Sequence, residues 1–491
     1  MPSADLLNSL SYVVQTLAFK NASQGHPAAD TEAMGAELNK SSLSRAAGFL
    51  NSAVSFLVFL FLDVLDAILC VAYKLADYAM ETDSRPCYCS PEEVFLVSAA
   101  KGRTDVPVAA ELRLGDVSDT LYHRPSHVAE LAKKAAIAVG YKTSRSIGFT
   151  VSSDVTGALK EKTGRGRRPL WSDCDCQTCN SPESHLYVHV QGPTDTSTTT
   201  TTTTTDVIFI HGFISSSAFW TETVFPEFSD ATKSRHRMFA VDLLGFGRSP
   251  KPADSLYTLR EQVDMIEKSI LKRHNVRSFH VVAHSMGCIV ALALAVEHPE
   301  AVESLALIAP PYFPVPEGEK AAQFVMRQVA PKKVWPPVMF GASVACWYEH
   351  VGRTICLFVC RNHRSWEFLF RLVTRNRIRT YMMDVFMCHT HRAAWHSLHN
   401  VICGSAATME RYMDSVSRRS CCDVAVFHGG DDDVLPVDCS YAVGSRIPRA
   451  RVKVFQGKDH VTIVVGHRKA LAGELEQVWR TAGRPTTGNP N

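Results

Sequence analysis

Three residues far apart in the chain have the types and local settings of a nucleophile, an orienting acid and a general base. Ser285 lies in Ala283-His284-Ser285-Met286-Gly287, where small neighbours permit a tight turn that lifts a hydroxyl off the end of a strand. Asp432 sits in the run Gly429-Gly430-Asp431-Asp432-Asp433-Val434-Leu435-Pro436. It is preferred to Asp431 and Asp433 because it alone keeps both a glycine three residues before it and a proline four after. His460, in Lys458-Asp459-His460, is the candidate base, with His467 as its rival. The chemistry this set would do is acyl transfer: Ser285 attacks an ester carbonyl, His460 takes its proton and returns it to the leaving group, and Asp432 orients the imidazole. His211-Gly212-Phe213 supplies a backbone amide at Phe213 which, with that of Met286, would form an oxyanion hole. His284 reads as a packing or hydrogen-bonding residue and not as a second base.

Such a set needs strands that end side by side. Apolar runs at Leu186–Gly192, Val207–Gly212, Met238–Leu243, Phe279–Ala283, Ser304–Pro310, Val424–Gly430 and Val452–Gly457 alternate with helical segments, the pattern of a mainly parallel sheet covered on both faces. The predicted fold class is α/β. Ser285 falls between the fourth run and an alanine-rich helix, Asp432 follows the sixth and His460 follows the seventh. Between Pro311 and Ser420 the strand rhythm stops, and a helical, aromatic insertion carries fifteen Lys and Arg against seven Asp and Glu. Its place before the acid strand predicts a cap over the carboxyl ends of the strands, where it would exclude water and shape the pocket. An apolar slot with a basic rim suits an acyl chain beside a phosphate or carboxylate.

The remainder of the 491-residue chain sets the context. With 46% hydrophobic and 21% charged residues and a formal net charge of +3, the chain is neither a disordered protein nor one that holds a polyanion. No nucleic-acid partner is expected. Residues 1–45 read as a disordered leader, with Met34 as an alternative start, and 46–73 as a signal-anchor or signal-peptide core, since Ala46–Leu62 carries no charge and follows Lys40 and Arg45. The alternative is a buried helix of a soluble protein. Residues 81–185 hold two cysteine groups, Cys87 with Cys89 and Cys174 with Cys176 and Cys179. Delivered to the secretory lumen, the two groups would be linked by disulfides; free thiols are the second reading, and zinc ligation is the weakest. A threonine-rich loop spans 194–206 within the first part of the sheet domain, 186–310; the second part is 421–480 and a tail covers 481–491. Cys388-His389-Thr390-His391 and His396-x-x-His399 have metal-ligand spacing but read as packing. No metal and no cofactor is expected, because a serine triad needs neither.

Taken together, His211-Gly212-Phe213, the run Asp242–Pro252, Ala283–Gly287, Gly429–Pro436 and Lys458–His460 resemble the α/β-hydrolase superfamily over roughly 186–480. The N-terminal apolar segment, Pro86–Cys89, Trp171–Cys179, His211–Trp220 and Cys388–Asn400 are similar to the plant BODYGUARD proteins along most of the chain. The sequence departs from that family before Met34 and in the threonine run. The resemblance implies an α/β-hydrolase fold with an inserted cap, and a lysophospholipase-like serine hydrolase or acyltransferase on lipid or cutin-type esters. It also implies a place in the secretory pathway, membrane-anchored or released to the outer epidermal wall, and a role in building the cuticle. A serine in the elbow argues against dehalogenase or epoxide-hydrolase chemistry, which looks for an aspartate nucleophile there. The competing classes are a non-catalytic lipid-binding or signalling protein on the same fold, and a soluble intracellular esterase.

Overall fold

The computed structural model describes residues 33–81, 117–122, 124, 126, 171–174, 176, 183–193, 204–373, 385–419 and 422–482. Seven strands form one sheet in the order β1-β3-β2-β4-β5-β6-β7. They are β1 (Val188–Gln191), β2 (Thr205–Ile210), β3 (His236–Val241), β4 (Phe279–His284), β5 (Val302–Ile308), β6 (Asp423–Gly429) and β7 (Arg451–Phe455). Only β1, at the edge, runs antiparallel to its neighbour. Each falls within or against one of the apolar runs, because a strand covered on both faces needs side chains that are apolar on both. All six residues of β4 are buried. The threonine run ends sooner than the sequence suggests, since Thr205 and Asp206 already pair with β3 and β4; Asp206 is held there by Arg237 through paired bonds of 2.8 and 2.9 Å.

The strand order places the site. From β2 the chain moves to β3 on one side, and from β4 it moves to β5 on the other, so the crevice between the carboxyl ends of β2 and β4 is the switch point where open α/β sheets bind ligands. Helices α2 (Leu259–Ile266), α3 (Met286–Glu297) and, after β6, α10 (Asp438–Arg446) and α11 (Arg468–Thr481) cover the faces. In α3, every residue from Met286 to Ala295 is buried, which an all-round apolar helix requires.

Between β5 and β6 lies the cap: α4 (Ala321–Val329), α5 (Pro337–Trp347), α6 (Glu349–Phe358), α7 (His363–Val373), α8 (His391–His396) and α9 (Ala406–Ser417). The described residues of the cap are tied to the sheet domain by a β-bridge between Phe246 and His389 and by an Asn400 amide that donates to the Leu256 carbonyl at 2.8 Å.

The N-terminal helix α1 runs from Ala33 to Glu81. It begins inside the stretch read as a disordered leader and extends past the stretch read as a membrane segment. One side docks on the cap. Phe59 and Leu62 are buried against Met326, Val344, Trp347 and Tyr348. The Asp66 carboxylate accepts the His350 and Val351 backbone N–H groups at 2.8 and 3.0 Å, capping the start of α6. Asp77 forms a two-pronged pair with Arg353 at 2.6 and 2.7 Å and accepts the Trp171 indole N–H at 2.7 Å. The other side is an exposed apolar stripe through Leu50, Leu57, Phe61, Val64, Ile68 and Leu75. The helix is long and apolar enough to cross a membrane.

One cysteine expectation is corrected. Among the described residues Cys174 and Cys176 form no disulfide; instead these two sulfurs pack with Cys388 of the cap. Cys87, Cys89 and Cys179 lie outside the described residues, as do residues 1–32 and most of 81–185.

Buried histidines give the fold a pH dependence. Burial pushes His280 and His284 down from 6.5 to about 3, with His236 and His460 respectively adding to the effect. His280 is therefore neutral, and its 3.4 Å approach to Glu303 is not an ion pair at pH 7. Between pH 6.5 and 3 the unfolded chain binds protons at these sites that the folded chain does not, so stability falls as pH falls through that window. Thermal melting is expected to drop by on the order of 10 °C between pH 7 and pH 5, and His280→Gln, where it folds, to flatten that slope. A melting temperature independent of pH over this range would contradict it.

Candidate active site

Ser285 sits between β4 and α3 with φ 52° and ψ −124°, left-handed backbone that a residue with a Cβ rarely adopts. The turn is held by the Ser285 N–H, which donates to the Ile308 carbonyl at 2.8 Å. Two glycines make it possible. A Cβ at Gly287 would lie 2.5 Å from the His211 carbonyl oxygen, and one at Gly212 would lie 3.1 Å from the Ser285 Cβ. The backbone after β2 thus passes directly alongside the serine, which brings the Phe213 segment to it, while Met286 opens α3 with an amide that has no partner inside the helix.

The structure brings the other two predicted residues to Ser285. His460 Nε2 lies 3.1 Å from Ser285 Oγ, and His460 Nδ1 lies 2.7 Å from Asp432 Oδ2. The geometry chooses among the rival aspartates and histidines. The Asp432 carboxylate is fully buried and its Oδ1 accepts the Val434 and Leu435 N–H groups, both at 2.8 Å. Asp431 and Asp433 are exposed, and His467 packs at a tilt against Phe455 with ring centroids 4.6 Å apart. Burial by itself would raise the Asp432 pKa, but hydrogen bonds from His428 and His460, the His460 charge and the Leu435 amide outweigh it and hold the carboxyl well below the usual carboxylate range. The acid and base loops are laced together: Gly430 N–H donates to Phe455 O and Asp431 N–H to Lys458 O, each at 2.9 Å. A Cβ at Gly429 would lie 2.3 Å from the Lys458 carbonyl, so that position must be glycine.

Three supporting residues surround the triad: His284 makes the hydrogen bond expected of it, while the roles of His428 and Asp242 were not assigned from the sequence. His428, fully buried at the end of β6, turns Nε2 toward both the Leu435 carbonyl at 3.0 Å and Asp432 Oδ2 at 3.3 Å, while Ser440 Oγ meets its Nδ1 at 2.6 Å. A histidine four residues before an acid has no distinctive spacing, so nothing in the sequence marked it. His284 Nε2 donates to the His460 carbonyl at 2.9 Å, and the two rings lie 4.8 Å apart. A ring kept neutral in that position fixes the His460 loop. Asp242, buried after β3, accepts the Ser217 N–H at 2.5 Å and the Arg248 N–H at 2.7 Å, bracing the loop behind His211.

The cap histidines do not converge. His396 packs edge-on to Tyr257, and His399 Nδ1 meets Thr120 Oγ1 at 2.9 Å; His391 lies against Trp395. Of these four, His389 turns toward cysteine sulfurs, those of Cys356 and Cys360.

Known proteins place this arrangement. A family model described as the alpha/beta hydrolase fold matches residues 206–334. The protein named "Probable lysophospholipase BODYGUARD 3" of Arabidopsis thaliana is 47% identical over 90% of this chain and 98% of its own length. "Probable lysophospholipase BODYGUARD 1" of the same plant is 48% identical over 89% of this chain and 97% of its own. "Probable lysophospholipase BODYGUARD 4" is 38% identical over 88% and 97%. With a seven-stranded α/β sheet, an inserted cap and matches of this length, the chain is a hydrolase that belongs to the BODYGUARD family of α/β hydrolases.

Proposed function

We propose that the protein is a carboxylic ester hydrolase whose nucleophile, base and acid are Ser285, His460 and Asp432, acting on single-chain acyl esters of lysophospholipid or cutin type at a membrane surface. The observation that carries this reading is the line Ser285 Oγ, His460 and Asp432, with separations of 3.1 and 2.7 Å at the switch point of the sheet. His460 takes the Ser285 proton as Oγ attacks the acyl carbonyl. The oxyanion that forms is met by the backbone N–H groups of Phe213 and Met286, the latter aided by the α3 dipole. His460 then protonates the leaving alcohol, and a water, activated by the same imidazole, releases the acid; a hydroxy-acyl alcohol in place of that water would give transfer. Asp432 stays ionised throughout and stabilises the imidazolium.

The substrate class draws support from the names of the relatives and from the cap's excess of eight basic over acidic residues, seven Asp and Glu against fifteen Lys and Arg over 311–420. Membrane association draws support from the stripe on α1. The docked side of that helix carries Asp66 and Asp77, both bonded to α6, so the stripe meets lipid while the carboxylates stay with the cap. This is an interfacial mode, with the cap lying on the bilayer. The proposal extends to a place in the secretory pathway and a role in cuticle formation, which the resemblance to the BODYGUARD proteins implies.

The test is release of fatty acid from lysophosphatidylcholine and from ω-hydroxyacyl esters, with the protein bound to anionic vesicles. The doubly charged variant Phe61→Glu/Ile68→Glu is expected to lose membrane binding by about tenfold or more while still reacting with a soluble fluorophosphonate. Unchanged vesicle co-sedimentation overturns the membrane part; no release from any acyl ester by a folded wild-type protein overturns the activity.

A further inference from the structure

Six side chains with metal-binding chemistry lie outside the Ser285 site and play no part in its chemistry. Cys174 and Cys176 approach His363, and Cys356 and Cys360 approach His389; within each trio all donor atoms lie within 4.8 Å of one another. Cys176 Sγ is 3.7 Å from His363 Nε2. Cys360 Sγ is 3.5 Å and Cys356 Sγ 3.9 Å from His389 Nε2. A thiolate at about 2.3 Å and an imidazole nitrogen at about 2.0 Å from a tetrahedral zinc ion stand roughly 3.6 Å from each other. The observed separations are therefore close to the edges of a coordination tetrahedron.

The surroundings are also those of ligands. His363 Nδ1 donates to the Cys360 carbonyl at 2.7 Å, which puts the lone pair on Nε2, the atom that faces Cys176. This one bond also joins the two trios. The Cys176 N–H points at Cys174 Sγ at 3.5 Å, a contact that favours a thiolate. Cys388, buried, packs with Cys174 and Cys176 and is at hand as a fourth sulfur. The donors come from three places in the chain: the turn at 171–176, the α6 to α7 corner, and the residues just before α8. No hydrophobic cluster of ordinary size holds them together, since the described cluster here consists of the cysteines themselves.

We propose that the two trios bind zinc, Cys174, Cys176 and His363 with Cys388 holding one ion and Cys356, Cys360 and His389 another, so that a paired zinc clamp fastens the N-terminal cysteine segment to the cap. Borderline-soft thiolate and imidazole ligands in a closed, mostly buried setting select zinc over the hard cations. Each thiol gives up its proton to solvent as the ion binds, and no oxidant or reductant is involved. The clamp reaches the site by contact. His389 is bridged to Phe246, whose ring packs edge-on at 6.2 Å against Phe213 and at 5.9 Å against His211, the residues beside the oxyanion position.

The experiment is metal analysis of the whole chain purified without chelator, by inductively coupled plasma mass spectrometry, with intact mass and thiol titration on the same sample. One zinc ion per trio is expected, with all six residues unoxidised. Cys174→Ser/Cys176→Ser and Cys356→Ser/Cys360→Ser should each lose one ion, whereas Cys346→Ser, a buried thiol outside both trios, should lose none. Should a variant fail to fold, cobalt exchanged into the wild-type protein reports directly, through the visible bands of tetrahedral thiolate coordination. A zinc-free wild-type protein that takes up no cobalt, a mass showing disulfides within the trios, or zinc retained by both pair variants would each overturn the proposal. Loss of an ion in only one pair variant refutes the other trio.

Discussion

Ser285→Ala eliminates covalent capture by a fluorophosphonate probe and lowers kcat for an acyl ester by about 10⁴-fold or more. The expectation is large because the hydroxyl is the bond-forming atom and because the backbone is shaped around it: a residue at φ 52° is held there by the strand pairing, by Gly212 and by Gly287. Alanine has the same Cβ and keeps the same turn, so the fold and ligand affinity persist while turnover does not. The readout is single-turnover acyl-enzyme formation beside circular dichroism of wild type and variant. Equal labelling of the two proteins would place the nucleophile elsewhere, and an unlabelled, folded wild-type protein would turn attention to the lipid-binding reading of the fold.

Asp432→Asn comes second, with an expected loss of about 10³- to 10⁴-fold in kcat and little change in substrate affinity. Asparagine offers an amide where His460 Nδ1 now meets a carboxylate oxygen at 2.7 Å, and the imidazole no longer has a charge to stabilise it. The same substitution changes stability with a defined sign. The folded-state pKa of Asp432 is depressed, so its ionised form contributes stability that is present above the unfolded carboxyl value near 4 and is lost as pH falls toward the folded value. The asparagine variant should show a shallower loss of stability below about pH 5 than the wild type. His428→Phe separates the two effects: it removes a hydrogen-bond partner of Asp432 but not the bond to His460, so it should raise the Asp432 pKa and move its acid titration to higher pH without matching the loss in Asp432→Asn. If Asp432→Asn retained full kcat, Asp432 would have no part in orienting the base.

The sheet and the meeting of Ser285, His460 and Asp432 were legible in the sequence for a common reason. A strand buried on both faces must be apolar throughout, so β4 and β6 stand out as runs, and the residues at their ends are then placed by order alone. The helix α1 was only half legible. Averaged along the chain, its apolar residues hide the fact that Ser55, Phe59, Leu62, Asp66, Tyr73 and Asp77 recur at helical spacing on one side; the reading closed the segment at Tyr73, whereas the helix continues to Glu81. The cap's cysteines and His389 were harder still. Cys174 and His363 are distant in sequence, and short-range spacing cannot report donors that meet through tertiary structure. His428 went unseen because its chemistry consists in which way its ring faces.

The capping of α6 by Asp66 joins residues 284 positions apart, and that separation bears on biogenesis. Synthesis at about 5–20 residues per second leaves α1 outside the ribosome for roughly 15–60 s before the backbone amides that satisfy Asp66 exist. Throughout that interval the helix presents lipid-seeking residues on one flank and unsatisfied carboxylates on the other. On the interfacial reading proposed above, early capture by a bilayer would shield the first flank and leave the second turned to water, in the orientation the finished cap needs. A protein synthesised without α1 leaves Trp347, Tyr348 and the start of α6 uncovered, so the helix is needed for assembly of the cap whatever surface its other flank meets.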